Sequence, residues 1–511
     1  MSTTTAEQRT TQVVSATVQG VEGRPVRVEV HVGLGLPCFT VVGLPDTSCR
    51  EARDRVRAAV ESSGFTWPNR RVTVNLAPSD VRKVGAGLDL AIAVAVLAAT
   101  GKIRPDALEP LAFIGELGLS GSVRRVPGIL PAVEAVGRRD PVVATGDVIA
   151  ARLVRPGAQG VESLAQLVRV LRGDADWPRI DAPAAPTVRT PPVDLADDQG
   201  QVTGRKALEV AAAGGHHLLM TGPPGAGKTM LAERLPGLLP DLSDAAALQV
   251  TRVHSAAGIL GPEGGLVRRP PFRSPHHTAS LVALVGGGSA TLRPGEVSLA
   301  AGGVLFLDEL GEFPAAHLDA LRQPLEDGVI RIARARANAT LPARVLLVAA
   351  TNPCPCGVGR WGDCTCRPSQ IARYRRRLSG PVLDRLDLRV NVDPPDPASV
   401  LGEASVGERS DVVRDRVVAA RARAAARGVE ANADLRGDLL DRHAPLATDG
   451  LELLRHRLEV GRLTMRGAQR VRTVALTLAD LAGEEGPLHA ERLNEALWLR
   501  GADVVVDEVG A

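Results

Sequence analysis

The stretch HHLLMTGPPGAGKTMLAERL, from His216 to Leu235, holds the residues with the clearest chemistry. Gly222, Pro223, Pro224, Gly225, Ala226, Gly227, Lys228 and Thr229 fit the spacing G-x-x-x-x-G-K-[ST] of a phosphate-binding loop. Glycines there let backbone N–H groups close around phosphate oxygens, and a helix opening from the loop points its N-terminus at the same charge. Lys228 is placed to reach the β- and γ-phosphates of ATP, and the Thr229 hydroxyl to ligate Mg²⁺. The plainer alternative is a glycine-rich turn at a helix start. It is set aside because lysine is scarce: only Lys83, Lys102, Lys206 and Lys228 occur in an arginine-rich chain.

Two further apolar runs end in polar residues. GGVLFLDEL, Gly302 to Leu310, ends in Asp308 and Glu309. Carboxylates at the C-terminal edge of a strand lie where ligands gather in open α/β sheets. Asp308 fits the Mg²⁺ shell, and Glu309 fits the base that polarises an attacking water. An exposed acidic strand end is the alternative, but a magnesium–nucleotide site needs such a partner and no other strand offers it as well. ARVLLVAATNP then ends in Thr351 and Asn352.

Directly after Asn352 come four of the six cysteines, Cys354, Cys356, Cys364 and Cys366. Four thiolates are the right number and kind for a closed tetrahedral Zn²⁺ site. The spacing, CxC, seven residues, then CxC, departs from the usual short gaps between zinc ligands. Gly357, Gly359 and Gly362 supply the bend that a CxC chelate needs. A zinc knuckle and a reduced, metal-free loop both stay open.

The elements that must position these residues fall into regions. Residues 1–172 alternate β-like stretches (VRVEVHVG, RRVTVNLAP) with helical ones, as in an α/β or α+β domain. Residues 173–193 form a proline-rich linker, 194–397 an α/β domain with the phosphate loop, and 398–511 a region of almost wholly helical pattern. A chain of 511 residues requires several such domains. The N-terminus lacks a secretory pattern, and the apolar run from Leu88 is too short to cross a bilayer. The expectation is a cytoplasmic protein without membrane contact. A net charge of +3 does not by itself announce nucleic acid.

The order of phosphate loop, acidic strand and polar-ended strand resembles the AAA+ ATPases. FRSPHHTASLVALVGGG, NPCPCG and SQIARYRRRLSGPVLDRLDL narrow the resemblance to the magnesium-chelatase-like YifB/ComM group, from about Val13 to about Leu499. That likeness implies an AAA+ core with a helix-two insert, to which His276 and His277 belong, a pre-sensor β-hairpin and a C-terminal helical lid. It makes Asn352 the first sensor, Arg385 a finger acting on the neighbouring subunit, and Arg466 the second sensor. A finger supplied across a subunit edge implies a ring, and the family implies a hexamer. Arg373, Arg375, Arg376 and Arg377 lie close enough to compete with Arg385, and a surface ion pair is the bland reading of each.

The first domain resembles the proteolytic domain of Lon through VRKVGAGLDLAIAV and FIGELGLSGSVRRVPGILPAVEAV. Gly87 falls at the catalytic serine position and Leu130 at the lysine position, so the likeness implies a kept fold without peptidase chemistry. Between the acidic and sensor strands, VIRIARA and PARVLLV are expected to pair as a hairpin. Arg331, Arg334, Arg336 and Arg344 would give it a basic face for sequence-independent DNA contact. A solvated hairpin is the alternative. Aromatic residues make up 2% of the chain, which argues against base-stacking platforms. The family implies an ATP-driven DNA motor of the ComM type, working on branched or single-stranded DNA. A chelatase-like ATPase that remodels a partner protein is the alternative.

Overall fold

The computed structural model describes residues 9–181, 193–197, 200–261, 264–288, 292–334, 337–359, 362–378, 385–394 and 407–501. The N-terminal part is built on a seven-stranded mixed sheet in the order β3-β4-β2-β1-β5-β8-β9. Its strands are β1 (Arg9–Gln19), β2 (Glu22–Gly33), β3 (Cys38–Val42), β4 (Arg71–Ala77), β5 (Leu111–Phe113), β8 (Asp140–Ala144) and β9 (Gln159–Val161). Two short strands, β6 (Glu116–Leu117) and β7 (Val123–Arg124), pair as a separate ribbon. The apolar run after Leu88 forms the helix Asp89–Ala99, buried at every residue. A helix apolar on all sides must lie inside a core rather than on its surface.

The first half of the expected linker is not free of this part. Trp177 and Ile180 pack against its cores, and Arg152 Nη1 donates to the Ile180 carbonyl at 2.6 Å. Residues 182–192 lie outside the described residues.

The second sheet positions the candidate site. It runs β11 (Phe272–Arg273), β12 (Val304–Leu307), β15 (Leu346–Thr351), β10 (Leu218–Thr221), β16 (Leu388–Asn391), and every neighbouring pair is parallel. Parallel strands are covered on both faces and so read as continuous apolar runs, which is how VLFL and LLVAAT read. One face packs on the helix Val202–Gly214 and on the C-terminal helices Ser410–Ala426, Met465–Ala482 and Ala490–Leu499, in a single core. The other face carries Val253, Leu299, Leu321 and Leu341. This mixed α/β, multidomain architecture, with its parallel sheet, is consistent with an AAA+-type core. Among the described residues after 406 no strand occurs, in keeping with the helical pattern.

The hairpin differs from its expected form. β13 (Val329–Arg334) pairs with β14 (Ala337–Pro342), which shares only Pro342 with PARVLLV. The reason is competition: Leu346–Thr351 is buried at all six positions and belongs to the parallel sheet. Arg344 therefore leaves the hairpin and pairs with Glu430 and Asp434 of the C-terminal region.

The N-terminal part is fastened to this core. Gly128 N–H donates to the Ser255 carbonyl at 2.7 Å, and Arg252 grips Glu134 through two bonds of 2.9 and 2.6 Å. No helix among the described residues is long and apolar enough to cross a membrane.

Candidate active site

The loop Gly222–Gly227 leaves β10 and enters the helix Lys228–Leu238. Its root is clamped: Gly222 N–H donates to Thr351 O at 3.2 Å, and Val392 N–H to Thr221 O at 2.8 Å. A Cβ on Gly222 would sit 2.3 Å from the Val392 carbonyl, so only glycine allows this approach. Gly225 and Gly227 turn the chain with φ of 78° and 84°, the left-handed region that glycine adopts without penalty. Gln201 Nε2 ties the loop down from outside, donating to Ala226 O at 2.6 Å and Asp393 O at 3.0 Å. Nothing in the sequence pattern points to Gln201.

Lys228 is 8% exposed, and its Nζ donates to Gly222 O and Pro223 O, both at 2.8 Å, and to Asn352 Oδ1 at 3.3 Å. Burial lowers its pKa, while Asp308 and Glu309 pull the other way. The phosphate loop and the end of β15 thus meet on one ammonium group. Thr229 Oγ1 donates to Asp308 Oδ2 at 2.9 Å. Two adjacent oxygens on an octahedral Mg²⁺ with bonds of about 2.1 Å lie about 3.0 Å apart, so this pair fits two cis ligands of that ion. Asp308 Oδ1 is held by the Glu309 N–H at 2.8 Å.

Glu309 has φ of 50°, one of two described non-glycine residues with positive φ. That conformation costs roughly 1–3 kcal/mol and persists only where the surroundings impose it. The Glu309 carboxylate meets His277, with Oε2 3.1 Å from Nδ1 of the imidazole. His277 lies against His276, their rings tilted by 33° with centroids 4.1 Å apart, and makes an edge contact with Phe313. In the sequence both histidines read only as polar loop residues.

Asn352 continues into the cysteine loop. All four sulfurs, Cys354, Cys356, Cys364 and Cys366, lie within 4.8 Å of one another, an arrangement that fits a metal ion. The Val358 N–H and the Cys354 thiol hold Cys356 well below the usual thiol range. Beyond the loop, Tyr374 of the helix Pro368–Leu378 hydrogen-bonds Thr351 Oγ1 at 3.0 Å and closes over Gly311.

Arg385 and Arg466 come together on one acidic partner that the sequence does not single out. Arg385 is buried and donates to Glu326 Oε1, and Arg466, exposed, donates to the same atom at 2.7 Å. The two guanidinium groups, Arg466 foremost, hold the Glu326 carboxyl below the usual range. Arg373 is exposed; the side chains of Arg375, Arg376 and Arg377 lie outside the described residues. On the hairpin, Arg331 is exposed and pairs with Asp327 at 2.9 Å. The Arg334 side chain and all of Arg336 lie outside the described residues.

The sequence matches the family described as "Magnesium chelatase, subunit ChlI" over residues 194–400. It matches "Subunit ChlI of Mg-chelatase" over 28–143 and "Magnesium chelatase, subunit ChlI C-terminal" over 407–500. It is 43% identical over 487 residues to YifB of Escherichia coli, spanning 95% of this chain and 96% of that protein. The competence protein ComM of Haemophilus influenzae is 41% identical over 497 residues, 96% of this chain and 97% of ComM. The chain belongs to the magnesium-chelatase-like YifB/ComM family. An uncharacterized protein of Mycobacterium tuberculosis is 47% identical over 482 residues, 93% of this chain and 95% of its own.

In this YifB/ComM chain the two positions compared with Lon's catalytic pair hold Gly87 and Leu130. Leu130 is fully buried beneath the helix Asp244–Ala257, its N–H donating to Ser255 Oγ at 3.2 Å. Lys83 is also fully buried, its Nζ donating to the Pro78 carbonyl, and Ser120 lies on the surface beside Ser122. Neither lysine nor serine stands at the compared positions.

Proposed function

We propose that this YifB/ComM protein is an ATP-hydrolysing AAA+ ring motor, a hexamer, that moves branched or single-stranded DNA in recombination or natural transformation. The observation that carries the ATPase reading is the convergence of Lys228, Thr229, Asp308, Glu309 and Asn352, from one loop and two parallel strands, at one sheet edge. In this reading the loop from Gly222 to Thr229 cradles the phosphates of ATP, with Lys228 turning from the loop carbonyls to phosphate oxygens. Thr229 and Asp308 hold Mg²⁺, whose chemistry is to neutralise charge on the transferred phosphoryl group. Glu309 takes the proton of the attacking water, Asn352 orients that water, Arg385 serves the neighbouring site and Arg466 reads the nucleotide from the lid. Zn²⁺ is a structural ion in the cysteine cluster.

The division into 1–172, 173–193, 194–397 and 398–511 belongs to the same reading, with the first domain a Lon-type fold that serves as a scaffold or collar. The protein works in the cytoplasm, where thiols stay reduced. Support for DNA is the hairpin Val329–Pro342, which presents Arg331, together with likeness to a relative named as a competence protein. The chelatase descriptions of the matched families favour a second reading, an ATPase that remodels a partner protein. Forked-DNA binding titrated across salt decides between them. A motor gripping phosphates shows affinity that falls steeply with salt on every sequence. No DNA binding by assembled, ATP-hydrolysing rings would leave only the remodeller.

A further inference from the structure

The cysteine loop does more than follow the sensor strand; it lies against the phosphate loop. Gly357, between the two CxC pairs, is buried, whereas Cys356 and Val358 on either side are only half-buried. Its φ is 83°, and a Cβ built on it would lie 2.9 Å from both Cγ and Cδ of Pro224. A glycine in the left-handed region is therefore what lets the cysteine loop touch the phosphate loop here. Two residues before Cys354, Asn352 shares Lys228 with the Gly222 and Pro223 carbonyls. The segment thus reaches the nucleotide site at two points, one on the loop's outer face and one on its lysine.

The sulfurs have the geometry of a single tetrahedral site. Cys354 Sγ is 3.2 Å from Cys356 Sγ and 3.6 Å from Cys364 Sγ, and Cys356 and Cys364 are 3.6 Å apart. Zinc–sulfur bonds of about 2.3 Å put tetrahedral sulfurs about 3.8 Å apart, close to these values. They are far beyond the S–S bond length of about 2.05 Å, and all four cysteines are free. A backbone amide points at the same cluster: Cys356 N–H donates to Cys366 Sγ at 3.3 Å. A loop with few buried side chains of its own has little else to fix its shape.

We propose that the four sulfurs hold one zinc ion and that the resulting knuckle braces the phosphate loop, pressing Gly357 against Pro224 and Asn352 against Lys228. Nucleotide binding then depends on metal in the cluster. This rests on reading Gly222–Thr229 as the nucleotide site. The ion takes no part in hydrolysis; it sets the shape of the segment that does.

The test follows zinc and nucleotide binding in the full chain. Protein purified without chelator is assayed for metal by mass spectrometry. Its affinity for a fluorescent ATP analogue with Mg²⁺ is measured before and after a zinc-selective chelator, and again after zinc alone is returned. The expectation is about one zinc per chain. Nucleotide affinity falls on the order of tenfold or more on withdrawal and recovers on return, with unchanged circular dichroism. In a second arm, Gly357→Val keeps all four sulfurs and the zinc but loses nucleotide affinity, because the added side chain meets Pro224. If that variant fails to fold, the withdrawal series still decides. Zinc-loaded protein whose nucleotide affinity survives withdrawal overturns the brace. Protein that binds nucleotide normally but contains no zinc overturns the metal site. Zinc-loaded protein that binds no nucleotide overturns the reading of the phosphate loop, and the brace with it.

Discussion

Arg385 and Arg466 donate to the same oxygen atom, Oε1 of Glu326. Glu326 lies on the helix Ala315–Asp327, just before the hairpin. The shared carboxylate joins the segment ahead of β16, the C-terminal helix Met465–Ala482 and the hairpin's approach. If Arg385 is the finger of a ring ATPase, as proposed above, it has to leave that carboxylate when a neighbouring subunit engages nucleotide. Glu326→Gln keeps the shape and removes the charge, which weakens both pairs. If Glu326 only parks the arginines, assembled Glu326→Gln rings hydrolyse ATP at or above the wild-type rate. A fall to the level of Arg385→Ala would mean that the pair with Glu326 is what Arg385 is for.

The finger reading also makes a prediction about mixtures. Arg385→Ala is expected to lose ATPase by at least about 10³-fold, the usual effect of a missing finger, and Lys228→Ala to be inactive for want of bound nucleotide. Mixed before assembly, they place some intact phosphate loops opposite intact Arg385, and part of the activity returns. Mixed rings, verified by differently tagged subunits, with no recovered ATPase would assign Arg385 to its own subunit.

The proposed nucleotide site separates binding from chemistry. Lys228→Ala removes the group on which the phosphate loop and Asn352 meet, and is expected to abolish binding of ATP as measured by equilibrium fluorescence. Glu309→Gln retains the side chain's size and its reach toward His277. It is expected to bind ATP with near wild-type affinity and to hydrolyse it about 10²- to 10⁴-fold more slowly, the range for loss of a general base. Hydrolysis at the wild-type rate by Glu309→Gln would move the base elsewhere.

Much of this site is legible because its parts are local in sequence. A phosphate loop is one contiguous stretch, and the runs VLFL and LLVAAT announce buried parallel strands that end in Asp308 and Asn352. What stays hidden is what only folding brings together. Gln201, Glu326 and His277 carry no spacing signal, because each meets its partner through the packing of separate elements. The hairpin's true partner strand escapes the sequence for a related reason. PARVLLV is as apolar as a hairpin strand should be, but that apolarity belongs to β15, between β10 and β12. Equally invisible in the pattern is the sharing of one core by Val413, Val474 and Leu497 of the C-terminal helices with Leu218 and Phe306 of the sheet.

The hairpin prediction has to allow for its ion pairs. Arg331 lies beside Asp327, which offsets part of its charge, and Arg344 is engaged by Glu430 and Asp434. The net field at the hairpin therefore depends on Arg334 and Arg336 as well as Arg331. A triple replacement of Arg331, Arg334 and Arg336 by Gln keeps length and polarity while removing three charges. If these groups neutralise DNA phosphates, the slope of log affinity against log salt should flatten by about two to three units, close to one for each phosphate no longer neutralised. Affinity should fall equally for unrelated sequences, since groups that grip phosphates carry no base information. Ring assembly and ATPase without DNA should be unchanged, because the hairpin stands outside the parallel sheet. Removing Asp327 instead, as Asp327→Asn, should tighten DNA binding by taking away the counter-charge of Arg331. Unaltered affinity and slope in both variants, with rings intact, would place the DNA site on another surface.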